Sequence, residues 1–171
     1  MADAAIARES LQLSASSSPI SSYATSSMSS ETAVPIVPLH GVLYRNKQYN
    51  FSLTYPSDLS VDEYDEGDGT KAIAFQKGDG PLGLQMFITP DPDEQISLAQ
   101  VKADFPTLAM HDIESVTIGT GTPALVFSSN TPDLGPTREL WFVHDGYLYE
   151  ITTYSNLGGW LRQIINTIRL P

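Results

Sequence analysis

The most informative stretch of this sequence is residues 138–171, RELWFVHDGYLYEITTYSNLGGWLRQIINTIRLP. Two runs rich in β-branched and aromatic residues flank Asp145-Gly146, a pair that supplies the positive φ angles of a tight two-residue turn. The stretch therefore predicts a β-hairpin with a fixed register. The expected pairs are Val143 with Leu148, Phe142 with Tyr149, Trp141 with Glu150, and Leu140 with Ile151.

Side chains alternate between the two faces of this predicted hairpin. One face is apolar and is expected to lie in the core: Leu140, Phe142, Tyr147, Tyr149 and Ile151. The other face is mixed: Glu139, Trp141, Val143, Leu148, Glu150 and Thr152. Aromatic side chains on such a face often anchor interfaces, so Trp141, Val143, Leu148 and Glu150 are candidate partner-binding residues. The alternative is that a helix of the same chain covers Trp141.

An amphipathic helix is predicted after the hairpin. At about 100° per residue its apolar side chains fall on one side, and they are Leu157, Trp160, Leu161, Ile164, Ile165 and Ile168. Ser155 or Asn156 is expected to cap the start of the helix, and Pro171 discourages its continuation. The polar side lacks the dense Lys and Arg of membrane-surface helices, so packing on a sheet is expected.

The remaining sequence predicts further strands and one more helix. Residues 49–55 alternate apolar and polar side chains until Pro56, and Ser97-Leu98-Ala99-Gln100 matches the capping box of a helix start. Other predicted strands are 71–76, 82–89, 114–119 and 124–128. The connections look like hairpins, which predicts an α+β fold with a mainly antiparallel sheet of about six to seven strands flanked by two helices.

Composition divides the chain in two. With 171 residues it is long enough for one domain and a tail. Residues 1–43 are rich in Ser, Thr and Pro and are predicted to be a disordered tail or a stalk. Residues 44–171 are predicted to form the domain. A stalk of this kind often tethers a domain to a membrane or wall, which favours an extracytoplasmic location; an ordinary tail is the alternative.

Charge and cysteine content exclude several classes of protein. The formal net charge is −11 and no cluster of Lys and Arg offsets it, which disfavours nucleic-acid binding. An acidic surface is compatible with basic partners or divalent cations. The absence of cysteine excludes disulfides and thiolate metal sites. No stretch has the length of a transmembrane helix, so membrane attachment is expected only through an anchor outside these residues.

The chain resembles the PsbP-like family of α/β/α sandwich domains. The resemblance depends on YNFSLTYPSDL at residues 49–59 and on the final hairpin and helix at residues 147–170, and it covers about residues 44–170. Family members usually have Trp where Leu59 stands. The resemblance implies a small non-enzymatic domain, commonly extracytoplasmic, that docks on a larger assembly. The family has no shared catalytic residues to transfer to this sequence.

The segment 62–69, DEYDEGDG, is predicted to be an acidic loop and is the best candidate for a cation site. Asp62, Asp65, Glu66 and Asp68 carry the hard oxygen ligands that Ca²⁺ and Mg²⁺ prefer. Their spacing does not match the EF-hand pattern. The alternative is a solvated loop with no ligand.

No motif predicts catalysis. His40, His111 and His144 are far apart in the sequence, and nucleophile-elbow, phosphate-loop and dinucleotide motifs are absent. The sequence therefore favours a non-catalytic protein-interaction domain on a stalk, with an unidentified protein partner and no cofactor. A module that binds a small ligand or a divalent cation such as Ca²⁺ at residues 62–69 is the alternative.

Overall fold

The computed structural model describes residues 41–78 and 82–171. The predicted tail therefore lies outside the described residues as far as position 40, and so does His40. The first strand begins at Val42, two residues before the predicted start of the domain.

Nine strands and two α-helices occur within the described residues. The strands are β1 (Val42–Asn46), β2 (Phe51–Tyr55), β3 (Ser60–Gly67), β4 (Thr70–Gln76), β5 (Leu82–Pro90), β6 (His111–Ile118), β7 (Thr122–Thr131), β8 (Gly135–His144) and β9 (Tyr147–Tyr154). The helices are α1 (Leu98–Asp104) and α2 (Gly158–Ile165), and a short 3₁₀ turn at Ser155–Leu157 precedes α2.

Seven of these strands form one antiparallel sheet in the order β3-β4-β5-β9-β8-β7-β6. The other two, β1 and β2, form a separate antiparallel hairpin. Strands that follow one another in sequence mostly pair with one another, which is the usual outcome of short hairpin connections. The protein is therefore an α+β domain built mainly from antiparallel sheet.

The β8–β9 hairpin has the predicted register, with Trp141 opposite Glu150 and Val143 opposite Leu148. Its turn has φ angles of 50° at Asp145 and 79° at Gly146, as an Asp-Gly turn of this type requires. Four residues of the predicted apolar face are buried in the larger of two apolar clusters, and the fifth, Tyr147, is half-buried and packs against it. Local sequence therefore determines this element almost completely.

The larger apolar cluster lies between one face of the sheet and a layer made by α2 and the β1–β2 hairpin. Trp160, Leu161 and Ile164 of α2 are buried in it, which confirms the predicted apolar side of the helix. The backbone of Ser52 in β2 exchanges two hydrogen bonds with Arg169, at 3.0 and 2.8 Å, and ties the hairpin to the residues after α2. The predicted cap of α2 is wrong, because the 3₁₀ turn precedes the helix and Leu157 occupies the cap position without a side-chain bond.

The opposite face of the sheet carries α1 and a smaller apolar cluster. Ser97 caps α1, its Oγ accepting the N–H of Gln100 at 3.2 Å, as the capping-box pattern predicts. Val101 is buried, and Leu98 and Phe105 pack beside it against Leu125, Phe127 and Trp141 of the sheet. The two helices thus lie on opposite faces of the sheet.

Strand β3 corrects the prediction of an acidic loop at residues 62–69. The segment is an edge strand through Gly67 that pairs with β4, and the turn follows at Asp68 and Gly69. An edge strand tolerates carboxylates because one side of it faces solvent, and charged side chains there also discourage pairing with other chains. Val61 still packs on the larger apolar cluster.

Candidate functional site

The candidate partner-binding residues Trp141, Val143 and Leu148 are not a free surface in the structure. Trp141 is only 1% exposed, and the other two are also buried. The ring centroid of Trp141 lies 5.1 Å from that of Phe105 and 5.3 Å from that of Phe127, both in edge-on geometry. The helix α1 covers Trp141, which is the alternative that the sequence left open, so Trp141 does not support an exposed docking surface.

Helix α1 covers only part of its face of the sheet. Seven residues span about 10 Å, and strands lie about 4.8 Å apart, so a helix of this size covers about two strands. Its apolar cluster draws its buried sheet residues from β7 and β8. The same face of β3, β4, β5 and β9 contributes none of the residues of that cluster.

We call this part of the sheet the open face. The register and the alternation of side chains place eight residues in its two central rows: Asp62, Tyr64, Ala72, Ala74, Gln85, Phe87, Glu150 and Thr152. They form two rows across four strands, one from Asp62 through Ala74 and Gln85 to Thr152 and one from Tyr64 through Ala72 and Phe87 to Glu150. Glu150 is thus the candidate partner-binding residue that lies in these rows, whereas Leu148, on the same side of β9, lies beside Val101 and Phe105 and is buried.

The open face combines carboxylates with aromatic rings. Tyr64 is 45% exposed, and Phe87 is half-buried two strands away in the same row. Ala72 lies between these two rings and is almost fully buried, so its small side chain forms an alanine floor between them. Asp62 and Glu150 are the charged residues of the open face, and both are acidic.

Glu139 forms the inner border of the open face, next to Thr152. Its carboxylate accepts hydrogen bonds from the hydroxyls of Thr137 at 2.7 Å and Thr152 at 2.6 Å, and from the indole N–H of Trp141 at 3.4 Å. Its side chain is buried, and several donors offset the cost of burying the carboxylate. These hydrogen bonds hold the Glu139 side chain in place between the open face and the part of the sheet that α1 covers.

The four candidate cation ligands do not converge. Asp62 lies on the open face and accepts a bond from Gln76 at 3.4 Å, whereas Asp65 lies on the other face and accepts the N–H of Gly67 at 3.0 Å. Glu66 lies at an irregularity in the strand pairing, and Asp68 is in the turn with a φ of 49°. Alternation along a strand separates them. In the part of the chain that the structure describes, no three His, Asp or Glu side chains are grouped to hold a metal ion.

The two described histidines are also apart. His111 is exposed at the start of edge strand β6, and its row crosses the sheet through Ser128 to Arg138. His144 lies six residues further along β8, or about 20 Å. Its Nε2 is 3.5 Å from a carboxylate oxygen of Asp145 in the adjoining turn.

Sequence reasoning missed Tyr64, Gln85 and Phe87 as members of one surface. The available signal was the Gly67-Asp68-Gly69 turn between two runs, which is typical of a hairpin. The dense carboxylates of residues 62–66 concealed the strand. Gln85 and Phe87 join this surface because β5 lies between β4 and β9, and no local sequence pattern predicts that order of strands.

Comparisons with known proteins do not assign a family. No protein-family model matches the sequence, and no curated protein is significantly similar to it. None of the helices in the described residues has the length and apolar character needed to span a membrane. We therefore infer function from the geometry of the domain.

Proposed function

We propose that this chain is a non-catalytic protein-interaction domain whose open face binds a basic, partly apolar segment of a partner protein. The observation that supports this proposal is the charge of the open face. Its charged residues, Asp62 and Glu150, are both acidic, and the aromatic side chains Tyr64 and Phe87 accompany them. Complementary charge guides association, and partly exposed aromatic rings supply the apolar contact.

The spacing of these groups defines the segment that fits. Asp62 on β3 and Glu150 on β9 are three strands apart and lie in adjacent rows, so their separation is about 16 Å. An extended peptide covers that distance in about four to five residues. Two lysine side chains four residues apart lie on the same side of an extended peptide, and their length lets them match this separation. An apolar side chain midway between them faces the same way and would lie over the alanine floor and the two rings.

A PsbP-like fold is part of the proposal. Its support is the antiparallel sheet with a helix on each face and the closing hairpin and helix. An extracytoplasmic location is proposed as well, and its support is the Ser/Thr/Pro-rich composition of residues 1–43. Binding rather than catalysis is favoured because the two described histidines lie far apart.

The test uses the full chain labelled with ¹⁵N and the probe peptide Ser-Lys-Ser-Val-Ser-Lys-Ser, in which the two lysines and the valine lie on the same side of an extended chain. We expect chemical-shift changes at the amides of β3, β4, β5 and β9, and weaker binding at high salt because the contact is electrostatic. Tyr64→Ala and Asp62→Asn should each weaken binding several-fold. The matched controls, Leu43→Ala at an exposed apolar residue on β1 and Asp133→Asn in the β7–β8 turn, should leave binding unchanged.

Two results would contradict the proposal. One is equal binding of the peptide in which glutamate replaces both lysines, because charge complementarity would then have no role. The other is a set of shift changes centred outside β3, β4, β5 and β9, because the peptide would then bind a different surface.

A further inference from the structure

A polar cleft of about 160 Å³ lies where the β1–β2 turn, the β3–β4 turn and the ends of β5 and β9 meet. Residues that line it include Gln48, Asp65, Thr70, Lys71 and Tyr147. A single water needs only about 10–15 Å³ on this measure, so the cleft has room for a ligand of several non-hydrogen atoms. It is separate from the open face, because alternation puts Asp65 and Lys71 on the opposite side of the sheet.

A chain of polar contacts fixes the position of Lys71. Asn46 is buried and donates from Nδ2 to the hydroxyl of Tyr44 at 3.0 Å, and that hydroxyl donates to Oε1 of Glu63 at 2.7 Å. The other carboxylate oxygen of Glu63 lies 3.6 Å from Nζ of Lys71. Burial, and then the bond to Glu63, raise the pKa of Tyr44, so its hydroxyl remains a donor. The Lys71 side chain is 23% exposed and is held at the cleft.

The opposite wall is built from the β1–β2 turn. Oδ1 of Asn46 accepts the backbone N–H groups of Gln48 and Tyr49, each at 3.0 Å. The carbonyl of Tyr49 accepts the hydroxyl of Tyr149 at 3.0 Å, and the ring of Tyr49 lies edge-on to that of Tyr147 with centroids 5.0 Å apart. Both walls of the cleft are therefore positioned by the fold before any ligand binds.

We propose that this cleft binds a small zwitterion of the size of a free amino acid. Asp65 and Lys71 are directly opposite in the β3–β4 register, and both line the cleft. Lys71 attracts a carboxylate and Asp65 attracts an ammonium group, whereas a ligand with a single charge meets a like charge on one side. The amide of Gln48 and the hydroxyl of Thr70 supply hydrogen bonds. The ring of Tyr147 supplies apolar surface for a small side chain.

The test adds the common free L-amino acids one at a time to the full chain and follows the melting temperature Tm. A ligand that binds the folded state raises Tm in a saturable manner. We expect at least one amino acid to do so, and to shift the NMR signals of the Gln48, Thr70 and Lys71 amides. Lys71→Met and Asp65→Asn should each weaken its affinity at least tenfold.

The control variants are Lys77→Met and Asp58→Asn, which remove an exposed ion pair of 3.1 Å outside the cleft and should leave the affinity unchanged. The proposal is overturned if no amino acid raises Tm, if acetate binds as tightly as the best amino acid, or if Asp65→Asn binds like the wild type. Asp65 is exposed, so this last variant remains informative even if Lys71→Met fails to fold.

Discussion

Trp141 links α1 to the sheet through both its ring and its indole N–H. The ring packs edge-on to Phe105, next to the last residue of α1, and to Phe127 of β7. The indole N–H donates to Glu139, which also accepts two threonine hydroxyls. Trp141, a candidate docking residue from the sequence alone, is therefore a central contact of the smaller apolar cluster.

Replacing Trp141 with alanine should lower the free energy of unfolding by about 3–5 kcal/mol, the usual cost of removing a buried tryptophan side chain. The measurement is chemical denaturation followed by circular dichroism. Leu43→Ala is the control, because Leu43 is 55% exposed and its truncation should change the free energy of unfolding by no more than about 0.5 kcal/mol. Equal stability of Trp141→Ala and the wild type would show that α1 does not pack on this ring.

Helix α2 is connected to the far edge of the sheet by a group of charged side chains. Arg138 of β8 is buried and donates to the carbonyl of Asp112 and to the hydroxyl of Ser128, both at 3.1 Å, and to Glu114 of β6 at 2.7 Å. Arg162 of α2 donates to both oxygens of the Glu114 carboxylate, at 2.6 and 2.9 Å. Glu114 therefore bridges β6, β8 and α2.

The Glu114→Gln variant should be less stable than the wild type near neutral pH, and the difference should vanish in acid. The hydrogen bond from Arg162 lowers the pKa of Glu114 below its ordinary value of 4.5. Because the folded-state pKa is the lower one, the stabilisation is present above the ordinary pKa and is lost as pH falls through the folded-state pKa. The measurement is the difference in Tm between variant and wild type from about pH 7 to about pH 3.

Glu94→Gln is the matched control, since Glu94 is exposed in the loop before α1. A Tm difference for Glu114→Gln that stays constant down to about pH 3 would indicate that shape rather than charge connects the three elements.

Elements whose signals are local were predictable from the sequence, and elements that depend on the order of strands were not. The Asp145-Gly146 turn fixes the register of β8 and β9, and Ser97 fixes the start of α1, because each acts on its own neighbours. Strand β3 was not predicted because a segment so rich in carboxylates resembles a solvated loop. Its carboxylates are compatible with pairing to β4 because β3 lies at the edge of the sheet. Trp141 is buried because the short helix α1 packs over it, and no local pattern in the sequence of α1 predicts on which strands the helix packs.

The same limit applies to the two candidate sites, because local sequence predicts only part of each. Glu150 of the open face was identified from hairpin alternation, but its association with Asp62 and Phe87 requires the order β3-β4-β5-β9. The cleft joins Gln48 to Lys71 and Tyr147, which come from three separate hairpins. Tertiary contacts between distant segments create both surfaces, so a pattern within one segment cannot predict them.

At the scale of the whole molecule, the dominant electrostatic feature is a net charge of −11. Like charges on a compact surface repel one another and destabilise the folded state relative to the expanded unfolded chain. The ion pairs that oppose this effect include Lys77 with Asp58 at the surface, and exposed pairs contribute little. Added salt should therefore stabilise the domain, because it weakens the repulsion between carboxylates more than it weakens the ion pairs.

We expect Tm at neutral pH to rise by about 2–4 °C when NaCl is raised from about 0.01 to about 0.15 M, which corresponds to about 1 kcal/mol for a chain of this size. This change shortens the screening length from about 30 Å to about 8 Å and so weakens repulsion between distant carboxylates more than contacts at bonding distance. Differential scanning calorimetry is the measurement. The same salt change near the isoelectric point of about 4.4 is the control, because the net charge there is close to zero and Tm should hardly move. A fall in Tm with salt at neutral pH would instead show that contacts such as the bridge at Glu114 outweigh the repulsion that the composition predicts.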